Sequence, residues 1–142
     1  MNKHPNNMSK LLSTKCGNGA FNIGTLLLRL GMASLILPVG YNKLMHFAEM
    51  KKNFGGFFGM PAALALSLLI FAEFFCSIFI ILGLGTRIAA IPLIIAMAVA
   101  TFKAHHGDIM GDGQHAFMFM ISFLVILILG AGKISVEGAM GK

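Results

Sequence analysis

The sequence predicts an all-α fold: an integral membrane four-helix bundle with a short interfacial helix between its first and second spans. Three observations lead there. The chain is 57% hydrophobic and only 11% charged, whereas soluble domains carry about 25% charged residues. Its apolar residues come in long blocks, without the short alternating segments of an outer-membrane barrel. Helices are then the remaining way to pair every backbone N–H and C=O inside lipid. At 142 residues a single domain is expected.

Residues 1–20 are polar, basic and rich in asparagine and glycine, and are expected to form a disordered tail. The four-span domain occupies residues 21–134. Its first span covers about residues 23–44, with Pro38 deleting the bond to the Ser34 carbonyl and kinking the helix. From His46 to Met60, the residues Phe47, Met50, Phe54 and Phe57 recur at helical spacing while Glu49, Lys51 and Lys52 take other faces. This stretch is too polar to cross and suits a helix lying in the interface. Gly55, Gly56 and Gly59 weaken it. Pro61 opens the second span, about 61–82, where its missing N–H costs nothing. After the turn at 83–87 the third span covers about 88–104, and after a hydrophilic hairpin the fourth covers about 115–129. These last two are short, about 25 Å each, and fit if Arg87, Lys103 and Lys133 snorkel to the headgroups. Residues 135–142 form a short tail.

The net charge of +6 does not indicate nucleic acid: the basic residues flank apolar blocks singly or in one pair and read as membrane-surface anchors. Cys16 and Cys76 lie far apart with no CxxC, so neither a zinc site nor a resident dithiol is indicated. Cys16 is not expected to be a lipoprotein cysteine, given Lys15 before it. A cleavable signal peptide is not expected either, because the first apolar block starts late and contains Arg29. Four spans put both termini on one side. That side carries six basic residues against four on the other, which favours cytoplasmic termini.

Arg29 and Glu73 are the ionisable residues well inside apolar blocks. An unpaired charge at the bilayer centre costs roughly 2.5–3.5 kcal/mol on insertion scales. Counting along antiparallel spans puts the two at depths an arginine side chain can bridge, so an Arg29–Glu73 ion pair is expected. Such a pair either pins helix register or lets Glu73 handle protons or a cofactor. Arg29, Ala33, Ile36, Gly40 and Lys43 share one face of the first helix, and Ala33 and Gly40 permit close helix approach. That face leads to the opposite surface, where Tyr41, Asn42, Lys43, His46, Lys103, His105, His106 and His115 are expected to gather around Asp108 and Asp112. Three readings of this end stand open. The histidines and aspartates suit a transition metal, but their spacing matches no standard motif and no metal is assigned. They also suit plain helix ends at the water interface. Finally, they suit a site for the polar head of an apolar molecule such as a quinone, with His, Lys and Tyr supplying hydrogen bonds and protons.

Several segments together resemble the DoxX family of small bacterial membrane proteins. They are Arg29-Leu30-Gly31, Gly40-Tyr41-Asn42-Lys43-Leu44, Glu73, the turn Gly83-Leu84-Gly85-Thr86-Arg87-Ile88-Ala89-Ala90, and His105. The tail Gly130-Ala131-Gly132-Lys133-Ile134-Ser135 is similar to the family's closing Gly-Pro-Gly-basic-aromatic-Ser pattern, with Ala131 and Ile134 as departures. The resemblance implies a four-span bundle in the bacterial inner membrane and a loose link to membrane redox chemistry. The family takes its name from a subunit of an archaeal terminal quinol oxidase, and other members are associated with thiol and oxidative-stress partners. The expectation is a quinone-linked oxidoreductase component. Glu73, His105 and His106 are its catalytic proton donors; Arg29, Lys43, His46 and His115 bind the quinone. Its partners are the lipid bilayer, a membrane quinone, a soluble redox protein and further copies of itself. The rival readings are a non-enzymatic membrane scaffold for soluble redox or stress partners and a small transporter; the latter is disfavoured by the lack of an inverted repeat.

Overall fold

The computed structural model describes residues 8, 12–54 and 59–141. The disordered tail expected over residues 1–20 falls largely outside them, as do Gly55, Gly56 and Phe57 of the expected interfacial helix. Residues 13–17 have no regular structure, and the first helix already begins at Asn18.

From Asn18 on, the described residues form helices in the order α1 (Asn18–Met45), α2 (Phe47–Asn53), α3 (Ala62–Leu82), α4 (Thr86–Ala104), α5 (Gln114–Leu129) and α6 (Val136–Ala139). α1, α3 and α4 are long and apolar enough to cross a membrane, and α5 is a shorter apolar helix. α1 packs on α3, α3 on α4, α4 on α5, and α5 returns to α1, which closes an up-down-up-down bundle. At 28 residues, α1 is about 42 Å long, more than the ~30 Å of hydrocarbon it must cross. It continues through Pro38, which sits on an exposed side.

The core is assembled from small and medium side chains, among them Ala33, Ile36, Ala72, Cys76, Ile80, Ala90, Leu93, Met97, Phe123 and Ile126. The large apolar residues Leu27, Ile88, Ile95 and Ile128 point outward. That arrangement suits lipid, where helices associate by close backbone approach rather than by hiding leucines from water. On α1 the buried residues are Thr25, Arg29, Ala33, Ile36 and Gly40, the face that the 3.6-residue period picks out. α2 turns Phe47 and Met50 inward, both half-buried, and leaves Glu49, Lys51 and Lys52 exposed. It is shorter than the helix expected over His46 to Met60: of the phenylalanines whose spacing suggests that helix, Phe47 lies within α2 and Phe54 follows its end in an extended conformation.

Two features set the register of this bundle. The first is Gly40, where a Cβ would lie 2.7 Å from the Glu73 carbonyl carbon and the Phe74 nitrogen. α1 and α3 therefore meet backbone to backbone beside Glu73. The second is the turn after α3. Gly83 (φ +73°) ends the helix with the Leu84 N–H donating to the Phe79 carbonyl at 2.9 Å, the six-to-one bond of a Schellman motif. A side chain there would also strike Ser135, because the C-terminal segment lies against the turn, its Glu137 N–H donating to the Gly83 carbonyl at 3.1 Å.

Substituting Gly40 by Ala should force α1 from α3 and lower stability by roughly 1–3 kcal/mol, the usual cost of overpacking. Gly31→Ala, where an added methyl meets nothing within 4 Å, should be neutral or slightly stabilising because alanine is the better helix former. Paired thermal melts in one detergent would check both.

Candidate functional site

The two buried charges do not pair with each other. Glu73 is 2% exposed, and its Oε2 accepts a hydrogen bond from Lys43 Nζ at 2.5 Å. Arg29 is 1% exposed and donates to four main-chain carbonyls. Nε reaches Ile80 at 2.9 Å, Nη2 reaches Ile81 at 3.2 Å, and Nη1 reaches Ile134 at 3.0 Å as well as Ala131. The expected Arg29–Glu73 ion pair is thus replaced by two separate arrangements at opposite ends of the bundle.

Side-chain direction explains the correction. In a helix every Cα–Cβ bond leans toward the N-terminus. Arg29 in α1 leans toward the end where α1 begins and α3 finishes. Glu73 in the antiparallel α3 leans the other way, toward the end of α1. Lys43, near that end, leans back toward the bundle centre and meets Glu73. Lys43 is the next charged residue on the Arg29 face of α1, so the face holds and the partner of Glu73 comes from its far end.

The surroundings of Glu73 are distinctive. It lies in a π-helical turn, Phe71–Cys76, a feature frequent at functional sites. The Ser77 hydroxyl donates to the Glu73 carbonyl at 2.5 Å, helping to satisfy the widened turn. Phe74 faces Tyr41 of α1 with ring centroids 6.1 Å apart and stands edge-on to Phe75 at 5.1 Å. The pair is covered unequally: the Lys43 side chain is 18% exposed and the Glu73 side chain 3%. The carboxylate is sealed in, while part of the lysine side chain meets solvent.

A second π-helical turn, Ala100–Ala104, closes α4 below the histidine hairpin. His105 follows it half-buried, with its Cβ 3.1 Å from where a Gly113 side chain would begin. His106 is exposed at φ +52°, a left-handed conformation unusual for a residue with a Cβ. His115 is exposed in the first turn of α5. His46 is exposed beyond the last turn of α1, its Nδ1 3.0 Å from the Asn42 carbonyl oxygen. Chain direction puts all four at the Lys43 end of the bundle, yet none is hydrogen-bonded or ion-paired to Lys43 or Glu73. Among the described residues no group of three or more His, Cys, Asp or Glu side chains is placed to hold a metal.

The opposite end contains a contribution that side-chain patterns do not reveal. Glu137 Oε1 accepts from the Thr86 N–H at 3.1 Å and so caps α4 from a distance of 51 residues. Ser135 Oγ accepts from the Gly138 N–H at 2.9 Å and starts α6. The partners of Arg29 in this segment are carbonyls, which carry no signature in a sequence.

The fold, with three helices long and apolar enough to cross a membrane and a shorter apolar fourth, defines a polytopic membrane protein. A family model described as DoxX matches residues 24–106, more than half of the chain, and the chain belongs to the DoxX family. Searches of curated proteins and of solved structures give no match.

The two charges should respond differently to substitution. Arg29→Met strands the carbonyls at the end of α3 and in the closing segment, and should cost on the order of 3 kcal/mol or more. Lys43→Met leaves a buried unpaired carboxylate, so it should destabilise more than Lys43→Met combined with Glu73→Met. A double-mutant cycle of thermal or denaturant unfolding in detergent would measure that coupling; simple additivity would contradict the ion pair.

Proposed function

We propose that this DoxX-family membrane protein is a component of a quinone-linked oxidoreductase of the bacterial inner membrane, with both termini in the cytoplasm. The observation that supports the reading is the Lys43–Glu73 pair: an ionisable carboxylate sealed within the bundle and joined to a lysine whose side chain is part-exposed at the end of the bundle that carries the histidines. Reducing a quinone takes up two electrons and two protons. Oxidising the quinol returns them; the electrons are exchanged with a soluble redox partner, and the protons pass through side chains at this end.

Each residue then has a task. Glu73 holds a proton exchangeable with Lys43, and His105 and His106 relay protons from water, a role suited to imidazole near neutral pH. Lys43, His46 and His115 hydrogen-bond the carbonyl oxygens of the ring from the helix ends. Arg29 is not part of this set. Its donors are engaged at the other end of the bundle, so it positions α1 and α3 rather than binding quinone.

Purified protein in mild detergent should carry quinone in stoichiometric amount and support quinol-dependent electron transfer with its redox partner. Glu73→Gln preserves shape and should lower that turnover by about a hundredfold, the usual contribution of a positioned proton donor, with little change in melting temperature. Absence of quinone and of any quinol-dependent signal would sink the redox reading. Undiminished turnover in Glu73→Gln would remove the proton role from Glu73. A Glu73→Gln protein that fails to assemble would point instead to a register-fixing pair in a membrane scaffold.

A further inference from the structure

The cleft at the terminal end of the bundle is unused by the function proposed above. Its volume is about 550 Å³, and it opens between the start of α1 and the loop that follows α5. Phe21 and Leu129 give it apolar walls, while Asn22, Arg87, Lys133 and Glu137 bring polar groups to it.

The charges there do not balance. Glu137 is already engaged: one carboxylate oxygen accepts from the Thr86 N–H, and the buried Arg29 guanidinium lies within Coulombic reach. Arg29 and Glu137 offset each other, and two further cations remain. Arg87 makes one long bond, from Nη2 to the Ile128 carbonyl at 3.3 Å, which leaves most of its five N–H donors unused. Lys133 Nζ has no hydrogen-bond or ion-pair partner among the described residues. Both side chains are exposed, and both line the same cleft.

The loop is shaped so that the two cations share this cleft. Gly130 adopts φ +83°, and a Cβ there would lie 3.1 Å from Arg87 Nε, so glycine lets the guanidinium lie across the chain. Gly132, at φ +75°, turns the chain back against Thr25 of α1. The Lys133 N–H is then held by Asn22 Oδ1 at 3.1 Å, which fixes where the lysine side chain departs. A planar guanidinium and an ammonium lining one cleft beside Phe21 and Leu129 match a phosphate whose attached chains run down into the bilayer. Basic pockets between the ends of membrane helices bind anionic headgroups by the same chemistry.

We propose that this cleft is a binding site for the phosphate of an anionic phospholipid, held by Arg87 and Lys133 with the lipid's acyl chains descending past Phe21 and Leu129. The site is independent of the quinone reading, because it occupies the other end of the bundle and shares no residue with it.

The test uses the full-length protein in nanodiscs of zwitterionic phosphatidylethanolamine containing a small fraction of phosphatidylglycerol, with retained lipid counted by native mass spectrometry. The wild-type protein should hold phosphatidylglycerol in preference to phosphatidylethanolamine, and less strongly as salt rises. Arg87→Gln with Lys133→Gln should weaken that preference by about thirtyfold, taking roughly 1 kcal/mol per cation as about fivefold each. Arg87→Lys with Lys133→Arg, which keeps both charges, should restore most of it. Lys133→Gln alone guards against misfolding, since that side chain makes no hydrogen bond or ion pair among the described residues, and should show about a fivefold loss. Equal retention of the two lipids, or an unchanged preference in the charge-removed proteins, would overturn the proposal. Displacement of the lipid by millimolar inorganic phosphate would overturn the lipid assignment and give the site to a soluble phosphate.

Discussion

Arg29 solves a problem that helix bundles in lipid face at their ends: the last carbonyls of a helix have no partner within it. α3 stops at Leu82, and the chain must turn and pass the segment after α5 through the same small space. A single guanidinium, rooted in α1, donates to Ile80 and Ile81 at the end of α3 and to Ala131 and Ile134 beyond α5. Three separate parts of the chain are thereby referred to one side chain. Lysine could not do this, because its donors radiate from one atom, whereas the guanidinium spreads five in a plane. Burying the charge is tolerable because the acceptors are fixed dipoles already present. Glu137, capping α4 and lying within reach of the same guanidinium, completes the arrangement.

With one end so fixed, the helices meet at the other end in a defined register. Gly40 lies against the backbone at Glu73 and Phe74. Lys43, one turn further along α1, is then the only basic residue of that face in position to meet the carboxylate. The aromatic side chains of Tyr41, Phe74 and Phe75 surround this contact. The order of dependence runs from the arginine latch to helix register, and from helix register to the ion pair.

Much of this was legible in the sequence. Long apolar blocks with Gly and Pro punctuation are enough for four helices and their order. The period of 3.6 is enough to assign Arg29, Ala33, Ile36, Gly40 and Lys43 to one face of α1; the first four are buried there, and Thr25 joins them. The ionic partners were not legible from depth alone. Counting residues from the membrane surface locates Cα atoms, but the charged atoms of long side chains lie several ångströms away. In antiparallel helices, the N-terminal lean carries Arg29 and Glu73 apart. α1 also begins at Asn18 rather than near Ile23, so Arg29 has more helix before it than the hydropathy boundary suggests. The capping role of Glu137 was hidden for another reason. Its helix has only four residues, too few for periodicity to register, and its target is a backbone N–H fifty-one positions away.

The buried Arg29 and the part-exposed Lys43 differ in what they leave open. An arginine stays protonated throughout the accessible pH range, and Arg29 has its donors committed to carbonyls; it has nothing to exchange. Lys43 makes one hydrogen bond through its ammonium, to Glu73, and part of its side chain meets solvent. A lysine–carboxylate pair has two ways to hold the same proton, and each is sensitive to what approaches the ammonium. If the bundle needed only cohesion here, two apolar side chains of similar volume would serve at least as well, since buried ion pairs seldom repay their desolvation. Gly40 also leaves room for a backbone contact that would hold α1 and α3 together without any charge. The ionic pair therefore adds a property that packing cannot supply, a buried ionisable carboxylate joined to a lysine side chain that meets solvent.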